Sequence, residues 1–436
     1  MSLSKMEKGP SLNRDIISDM PPNIIENILS HLPIKEAVQT CILSKKWRYN
    51  WVTLPELIFN FSLGHAALIS QDKIERFIDG VLSLYRGPIY KFQLSSWPCI
   101  QDSSVIDKWI LWVSRNDIQE LILYHPMFDN YELPLCIYSC EHLNHLELSY
   151  CTLRRPPMFS SFQSLRSLLL EQVDCVGFTF ENLISRCPLL ERLKIEGLTS
   201  SSDIIIYGPK LKELVINGFC NVSQNICFKN TPVLACVSLN LHCYDFSPKN
   251  LNHDEMGKTL SVVKVFGCLV AVEKLDVGGN FLKFLGVDYV PKRLPNIFYR
   301  LKRLDLKICL NDLQMVSMAI CLIRSAPNLQ ELLMNVFPHT YNITNHAKEF
   351  SQVQDGSECS LNQLQNVKIK YFSGLGTQIE FIKFLLIITP ALEKMSIHGL
   401  EEISAGDHPM HGSRILEKLM QLPRVSMKAK IEYFEQ

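Results

Sequence analysis

The densest set of potential metal ligands in the chain is Cys136, Cys140, His142, His145 and Cys151. Thiolates and imidazoles hold zinc when they converge tetrahedrally, and such sites are usually written as closely spaced Cys or His pairs. No C-x-x-C pair occurs among the 15 cysteines, and the spacing of this cluster is not a recognised zinc set. Catalytic signatures are missing too. There is no G-x-x-x-x-G-K phosphate loop, no G-x-G-x-x-G turn and no G-x-S-x-G nucleophile elbow. FSGLGTQ (372–378) carries two glycines but reads as a turn ahead of the apolar run EFIKFLLI. The expectation is a chain with no catalytic residues, no metal and no cofactor.

The elements that hold these residues follow from composition and periodicity. The 436 residues are 47% apolar and 20% charged, which is the composition of a folded chain with a sizeable core. That length suits two to four compact domains or one long repeat array. Lys+Arg and Asp+Glu both number 44, so the broad basic excess of a nucleic-acid binder is absent. No stretch reaches the roughly 18 unbroken apolar residues of a membrane span. The polar start MSLSKMEKGPSLNRD lacks the apolar stretch of a signal peptide. Reduced thiols in the cytoplasm or nucleus are therefore expected, and neither nucleic acid nor membrane as partner.

A repeat runs through most of the chain. L-x-x-L-x-L or a close variant recurs as IQELIL (118–123), LNHLEL (143–148), LRSLLL (165–170), LERLKI (190–195), LKELVI (211–216) and LACVSL (234–239). It continues as VEKLDV (272–277), LKRLDL (301–306), LQELLM (329–334), LQNVKI (364–369) and LEKMSI (392–397). Leu121, Leu146, Leu168, Leu193, Leu214 and Val237 stand 21 to 25 residues apart, the period of a leucine-rich repeat. Cys151, Asn280 and Cys309 occupy its Asn/Cys position, which explains them as structure. Pro188, Pro209, Pro232, Pro327 and Pro390 precede their strands, so each unit reads as helix, proline stop, then strand. Two longer gaps interrupt the period, from Val237 to Leu275 and from Leu332 to Val367. The second contains the polar run PHTYNITNHAKEFSQVQDGSECS (338–360), which reads as a surface excursion.

Residues 15–54 read differently. Pro21 and Pro22 suit a first helical turn, with Ile24, Ile25, Ile28 and Leu29 following at helical spacing until Leu32-Pro33. A second helix carries Ala37, Val38 and Cys41. A third is expected over about Ser44 to Trp51, with Ser44 as N-cap and Trp47 and Trp51 on one face. Three short helices cannot bury this many apolar side chains among themselves, so some of that surface must meet another body.

This segment resembles an F-box, the module that docks a substrate receptor onto the Skp-type adaptor of an SCF ubiquitin ligase. The resemblance rests on Met20, Pro21, Ile24, Ile25, Ile28, Leu29, Ser30, Leu32, Pro33, Ala37, Val38, Leu43, Ser44, Lys45, Trp47, Arg48 and Trp51. Met20 stands where Leu is typical, and Cys41 where Ser is common. RFIDGVLSLYRGPIYKFQLS (76–95) and the C-terminal LNQLQNVKIKYFSGLGTQIEFIKFLLIITPALEKMSIHG are similar to plant F-box/FBD/leucine-rich-repeat proteins. The resemblance implies an α/β chain in four parts. They are an F-box at 12–55, a linker or first repeat-like segment at 56–115, leucine-rich repeats at 116–350, and an FBD region at 351–436 that continues the solenoid.

It also implies a non-catalytic receptor. Met20, Pro21, Ile24, Ile25, Ile28, Leu29, Leu32, Pro33, Ala37, Val38, Leu43, Trp47 and Trp51 would bind the adaptor, and through it cullin and RING subunits. The repeats would bind an unknown protein for ubiquitination and degradation. The alternatives are an F-box scaffold and a ligand-dependent signal receptor. With repeat leucines inward, the intervening residues form the concave face. Glu147, Glu171 and Glu196 make an acidic start there, Lys274 and Arg303 follow, and Lys368, Lys370 and Lys394 make a basic end. A target of complementary charge is expected across that face.

Overall fold

The computed structural model describes residues 17, 19–61, 70–95, 103–124, 131–155, 162–176, 180–197, 204–220, 226–243, 265–285, 290–337, 360–400 and 412–435. The chain divides into two compact units, Met1–Tyr150 and Cys151–Gln436.

The first unit opens with α1 (Pro22–Ser30) and α2 (Ile34–Gln39). The third expected helix does not form. Residues 45–49 are turns, followed by a short 3-10 segment at Asn50–Thr53, and Ser44 caps nothing. The two tryptophans explain this. The Trp47 Nε1–H donates to Ile17 O at 2.9 Å, whereas Trp51 Nε1 lies 3.2 Å from both Cys41 Sγ and Arg48 O. Stacked one turn apart on a straight helix, the indoles could not both reach acceptors on such separate segments.

Four parallel strands follow in this unit, β1 (Glu56–Asn60), β2 (Lys91–Ser95), β3 (Glu120–Tyr124) and β5 (His145–Ser149). A short β4 (Tyr131–Glu132) lies between the last two in sequence. Leu57, Phe92, Leu121 and Leu146 are in register across the four. β1 and β2 thus continue the repeat sheet upstream of the first L-x-x-L-x-L copy. Helices α3 (Gln71–Leu84) and α4 (Ser103–Ser114) bury Ile74, Ile78 and Val81, and Ile106, Trp109 and Ile110.

The second unit is the longer array. Its main sheet runs through β7 (Ser167–Glu171), β9 (Arg192–Glu196), β11 (Glu213–Cys220), β13 (Cys236–Cys243) and β14 (Lys274–Val277). It continues with β15 (Arg303–Ile308), β16 (Glu331–Val336), β17 (Asn366–Phe372), β18 (Lys394–Gly399) and β19 (Lys430–Phe434). Every pair is parallel. One row of core residues crosses the sheet, from Leu168 through Leu193, Leu214, Val237, Leu275, Leu304, Leu332, Val367 and Met395 to Ile431. Val237 pairs directly with Leu275, and Leu332 with Val367, so the register carries across both long sequence gaps. Residues 338–359 of the second gap lie outside the described residues.

Not every return segment is helical. β6 (Cys151–Arg154) pairs with β8 (Asp174–Val176), and β10 (Ile204–Tyr207) with β12 (Ile226–Lys229). IIIY and ICFK are rich in β-branched and aromatic residues and too short for a helix, so they pair as strands. Elsewhere the returns are helical: α5 (Phe180–Ile184), α7 (Leu313–Arg324) and α8 (Gly376–Ile388) stand on apolar runs at helical spacing, and α6 (Gly279–Leu285) and α9 (Gly412–Met420) are helices that the sequence reading did not single out. Asp312 caps α7 by accepting from the Gln314 and Met315 N–H groups and pairs with Lys283 at 3.0 Å.

Candidate interaction surfaces

Helix α1 sorts its own isoleucines. Ile25 and Leu29 are 1% and 0% exposed, while Ile24 and Ile28, one face over, are 45% and 37% exposed. Pro21, Pro33 and Leu43 are also exposed, and Met20, Leu32 and Val38 are half-buried. Ala37, Trp47 and Trp51 are interior, like Ile25 and Leu29. The thirteen motif positions therefore divide into a core group and a surface group. Ile42, 88% exposed, joins the surface group and was not picked out from sequence. The apolar triplet Cys41-Ile42-Leu43 between α2 and the turns was its only signal.

The helices are tied to the strands that follow them in the first unit. Val52 O accepts from the Arg86 and Gly87 N–H groups at 2.9 and 3.2 Å, and Pro55 O accepts from those of Tyr90 and Lys91. The Tyr85 hydroxyl lies 2.5 Å from Leu54 O, and burial, then the nearby Tyr90, push its phenol up to about 12. Gly87 allows the close approach: a Cβ there would lie 2.7 Å from Thr53 Cα.

On the sheet of the second unit, the residues between the core leucines face outward as expected, except for small ones. Ser167 and Ser396 are buried, as is Ser149 in the first unit. Most charges assigned to this face have local partners. Glu196 pairs with Lys194 at 2.9 Å, Arg303 with Asp305 at 3.1 Å and Glu331 at 3.6 Å, and Lys394 with Glu432 at 2.8 Å. In the first unit Glu147 meets His145 at 3.7 Å. Glu171 is engaged as well. Lys274, Lys368 and Lys370 make no ion pair among the described residues. At the acidic start Glu196 is thus offset by a lysine on its own strand, and at the basic end Lys368 and Lys370 keep free charge.

Between these ends lies a polar ladder. Ser238 Oγ donates to Asp276 Oδ2 at 2.8 Å, Asn240 Nδ2 donates to the same oxygen at 3.0 Å, and Lys307 Nζ donates to Asn240 Oδ1 at 2.8 Å. Asp276 and Asp305 stand side by side in register on β14 and β15. The second oxygen of each, Oδ1, is buried without a hydrogen-bond partner. Burial outweighs the guanidinium of Arg303 and raises the Asp305 carboxyl, and the Asp276 charge adds to the rise.

Comparison with known proteins settles the family. An F-box domain profile matches residues 17–58. The profile described as "FBD-associated F-box protein At5g56370, LRR repeats" matches 106–334, and an FBD profile matches 354–397. The chain is 34% identical over 428 residues to the F-box/FBD/LRR-repeat protein At1g13570 of Arabidopsis thaliana, covering 97% of this chain and 99% of that one. The chain belongs to the F-box/FBD/LRR-repeat family. Other Arabidopsis relatives are the putative F-box/FBD/LRR-repeat protein At2g05300, 25% identical over 99% of both chains, and the putative FBD-associated F-box protein At5g53635. The latter is 27% identical over 96% of this chain and 100% of its own.

An F-box joined to leucine-rich repeats supports the general role of a substrate adaptor, and the F-box implies binding to a Skp-type adaptor. In this F-box/FBD/LRR protein the cysteines near the metal-like cluster behave as packing groups. Burial pushes Cys140 up to about 12 and raises Cys151 further. His142 faces Asp117 at 3.7 Å, and Cys136 is raised chiefly by burial. Among the described residues no three His, Cys, Asp or Glu side chains converge on a metal-sized site, and no helix is long and apolar enough to cross a membrane. Of the repeat's Asn/Cys positions, Cys151 and Cys309 are buried, and the side chain of Asn280 lies outside the described residues.

Proposed function

We propose that this chain is the substrate-recognition subunit of an SCF-type ubiquitin ligase. Its F-box docks to the Skp-type adaptor and, through it, to cullin and RING subunits. The open face of the repeats binds a target protein for ubiquitination and degradation in the cytoplasm or nucleus. The observation that carries this reading is the exposed aliphatic set Ile24, Ile28, Ile42 and Leu43 on a segment in which Ile25, Leu29, Ile34, Ala37, Trp47 and Trp51 fill a core. Such a patch costs solubility unless it is covered. No catalytic group is required of this chain, because transfer chemistry resides in the other subunits and a receptor contributes proximity. The bonds from Val52 and Pro55 to residues 86–91 support that role, since they tie the docking segment to the strands of the first unit.

The deciding experiment is affinity capture with two forms of the full chain, wild type and Ile24→Asp/Ile28→Asp. The wild type should co-purify with the adaptor and turn its targets over. The variant should lose the adaptor and accumulate the same targets undegraded. Adaptor binding by the variant, or targets unaffected by it, overturns the reading. A second reading, a ligand-dependent receptor, draws on a cavity of about 390 Å³ in the first unit. It is lined by Leu32, Ile34, Leu54, Ile58, Phe61 and Phe77, with His31 and Lys35 among its polar groups. A ligand-dependent rise in melting temperature would favour that reading.

A further inference from the structure

One outward row of the second unit's sheet carries charges of both signs that the protein satisfies only in part: Arg303 and the pair Ser238 and Asn240 engage one oxygen each of Asp305 and Asp276, and the other oxygen of each carboxylate has no partner. Read across β14 to β17, in register, it is Asp276, Asp305, Leu333 and Lys368, with Lys370 two residues beyond Lys368 on the same strand and face. At the acidic end, two buried carboxylate oxygens on neighbouring strands have no hydrogen-bond partner, and burial, with the Asp276 charge adding to it, raises the Asp305 carboxyl. A cation between them would relieve both deficits at once. At the other end, Lys368 is exposed and neither it nor Lys370 meets an acid among the described residues. Leu333 stands between the two ends, part-exposed.

We propose that this row is the reading head for a linear segment of the target. The segment lies extended across the strands and places a basic side chain over Asp276 and Asp305, an apolar one over Leu333, and an acidic one over Lys368 and Lys370. The spacing follows from geometry. Adjacent strands are about 4.8 Å apart, so Asp305 and Lys368, two strands apart, are separated by about 10 Å. An extended peptide advances about 3.3 Å per residue and turns alternate side chains to one face, so the opposite charges of the target stand about four residues apart, with the base reaching Asp276 and the apolar residue midway between them. A peptide running in either direction satisfies the row, provided the separation is kept. The two ends act together as an electrostatic filter, because a segment with one sign of charge meets repulsion at one of them.

This inference rests on the reading that the open face of the repeats receives the target. The test uses the full chain co-expressed with its Skp-type adaptor and a displayed library of random twelve-residue peptides. Enrichment of peptides with opposite charges about four residues apart, flanking an apolar residue midway, is expected. Fluorescein-labelled copies should bind Asp276→Asn/Asp305→Asn about tenfold more weakly, and reselection on that variant should drop the basic residue but keep the acidic one. Lys368→Gln/Lys370→Gln should do the reverse. Adaptor co-purification and an unchanged melting temperature confirm that both variants are folded. Peptides without the charge pair, affinities unmoved by either variant, or no enrichment at all overturn the proposal. If binding ignores the row but falls with Lys194→Glu/Val215→Asp elsewhere on the face, the row fails while the target-binding face stands. If no open-face variant matters, both fall.

Discussion

The indole of Trp51 points its N–H at the sulfur of Cys41, 3.2 Å away, while that thiol lies 3.0 Å from the carbonyl of Arg48. The cysteine thus does at this position what a serine hydroxyl would do: it accepts from a tryptophan and donates to the backbone. Cys41→Ser should leave stability within about 0.5 kcal/mol, whereas Cys41→Ala, which removes that partner, should cost about 1 kcal/mol. Denaturant unfolding of the two variants checks the difference.

Ile28 and Leu29 are neighbours in sequence with opposite duties. Ile24→Asp/Ile28→Asp places charges on exposed positions and should keep the melting temperature within a few degrees while abolishing adaptor co-purification. Leu29→Asp buries an unpaired charge, which costs several kcal/mol and should yield insoluble protein. Equal solubility of the two variants would contradict the assigned faces.

Gly87 is pressed against the backbone of Thr53, and backbone cannot swing aside as a side-chain tip can. Gly87→Ala should therefore destabilise the first unit by more than about 1 kcal/mol. Hydrogen exchange should report it first at the Arg86 and Tyr90 amides, which bond to Val52 and Pro55. A silent substitution would mean the junction is looser than described.

His398 stacks on Phe434 with ring centres 4.8 Å apart, and its pKa lies below the ordinary 6.5 because of desolvation first, then Lys368 and Lys370. The unfolded chain therefore takes up this proton before the folded one does. The stability His398 contributes is present above pH 6.5 and is lost as pH falls through its lowered folded value. Lys368→Gln/Lys370→Gln should move the folded value part of the way back, leaving the share due to burial. An imidazole titration by NMR reads the shift directly.

How much of this was legible in the sequence depends on whether periodicity or local competition set the structure. The row from Leu168 to Met395 was legible strand by strand, because a buried leucine every repeat leaves a fixed signature, whereas β19 with Ile431 lies beyond the last copy read. β1 and β2 were not, since ELIFN and KFQLS lack the flanking leucines and only register with β3 reveals them. The helix expected over 44–51 failed because two indole N–H groups find acceptors at Ile17 and Cys41, a tertiary demand that helical spacing cannot express. β10 was misread as helical return because proline stops and amphipathic runs elsewhere set the expectation, whereas IIIY pairs with ICFK. On the open face, the outward placement of the charged residues between the leucines followed from the strand period, but the pairing among their charges did not. Lys194 stands two residues from Glu196 on one strand, and Glu432 sits across from Lys394, so pairing along and between strands cancels what a count along one column displays.

The segment matched by the FBD profile contains β17, α8 and most of β18, and none of these can stand by itself. β17 takes its outer hydrogen bonds from β16 and β18 gives its own to β19, while α8 buries Phe381, Ile382, Phe384, Leu385, Leu386 and Ile388. Cut at the profile's limits, 354–397, the piece would expose two raw sheet edges and a nearly all-apolar helix. It is thus a recognisable signature without being a transplantable module. Its inheritance must follow that of the array around it, by lengthening or trimming whole repeats rather than by the shuffling of a free-standing domain.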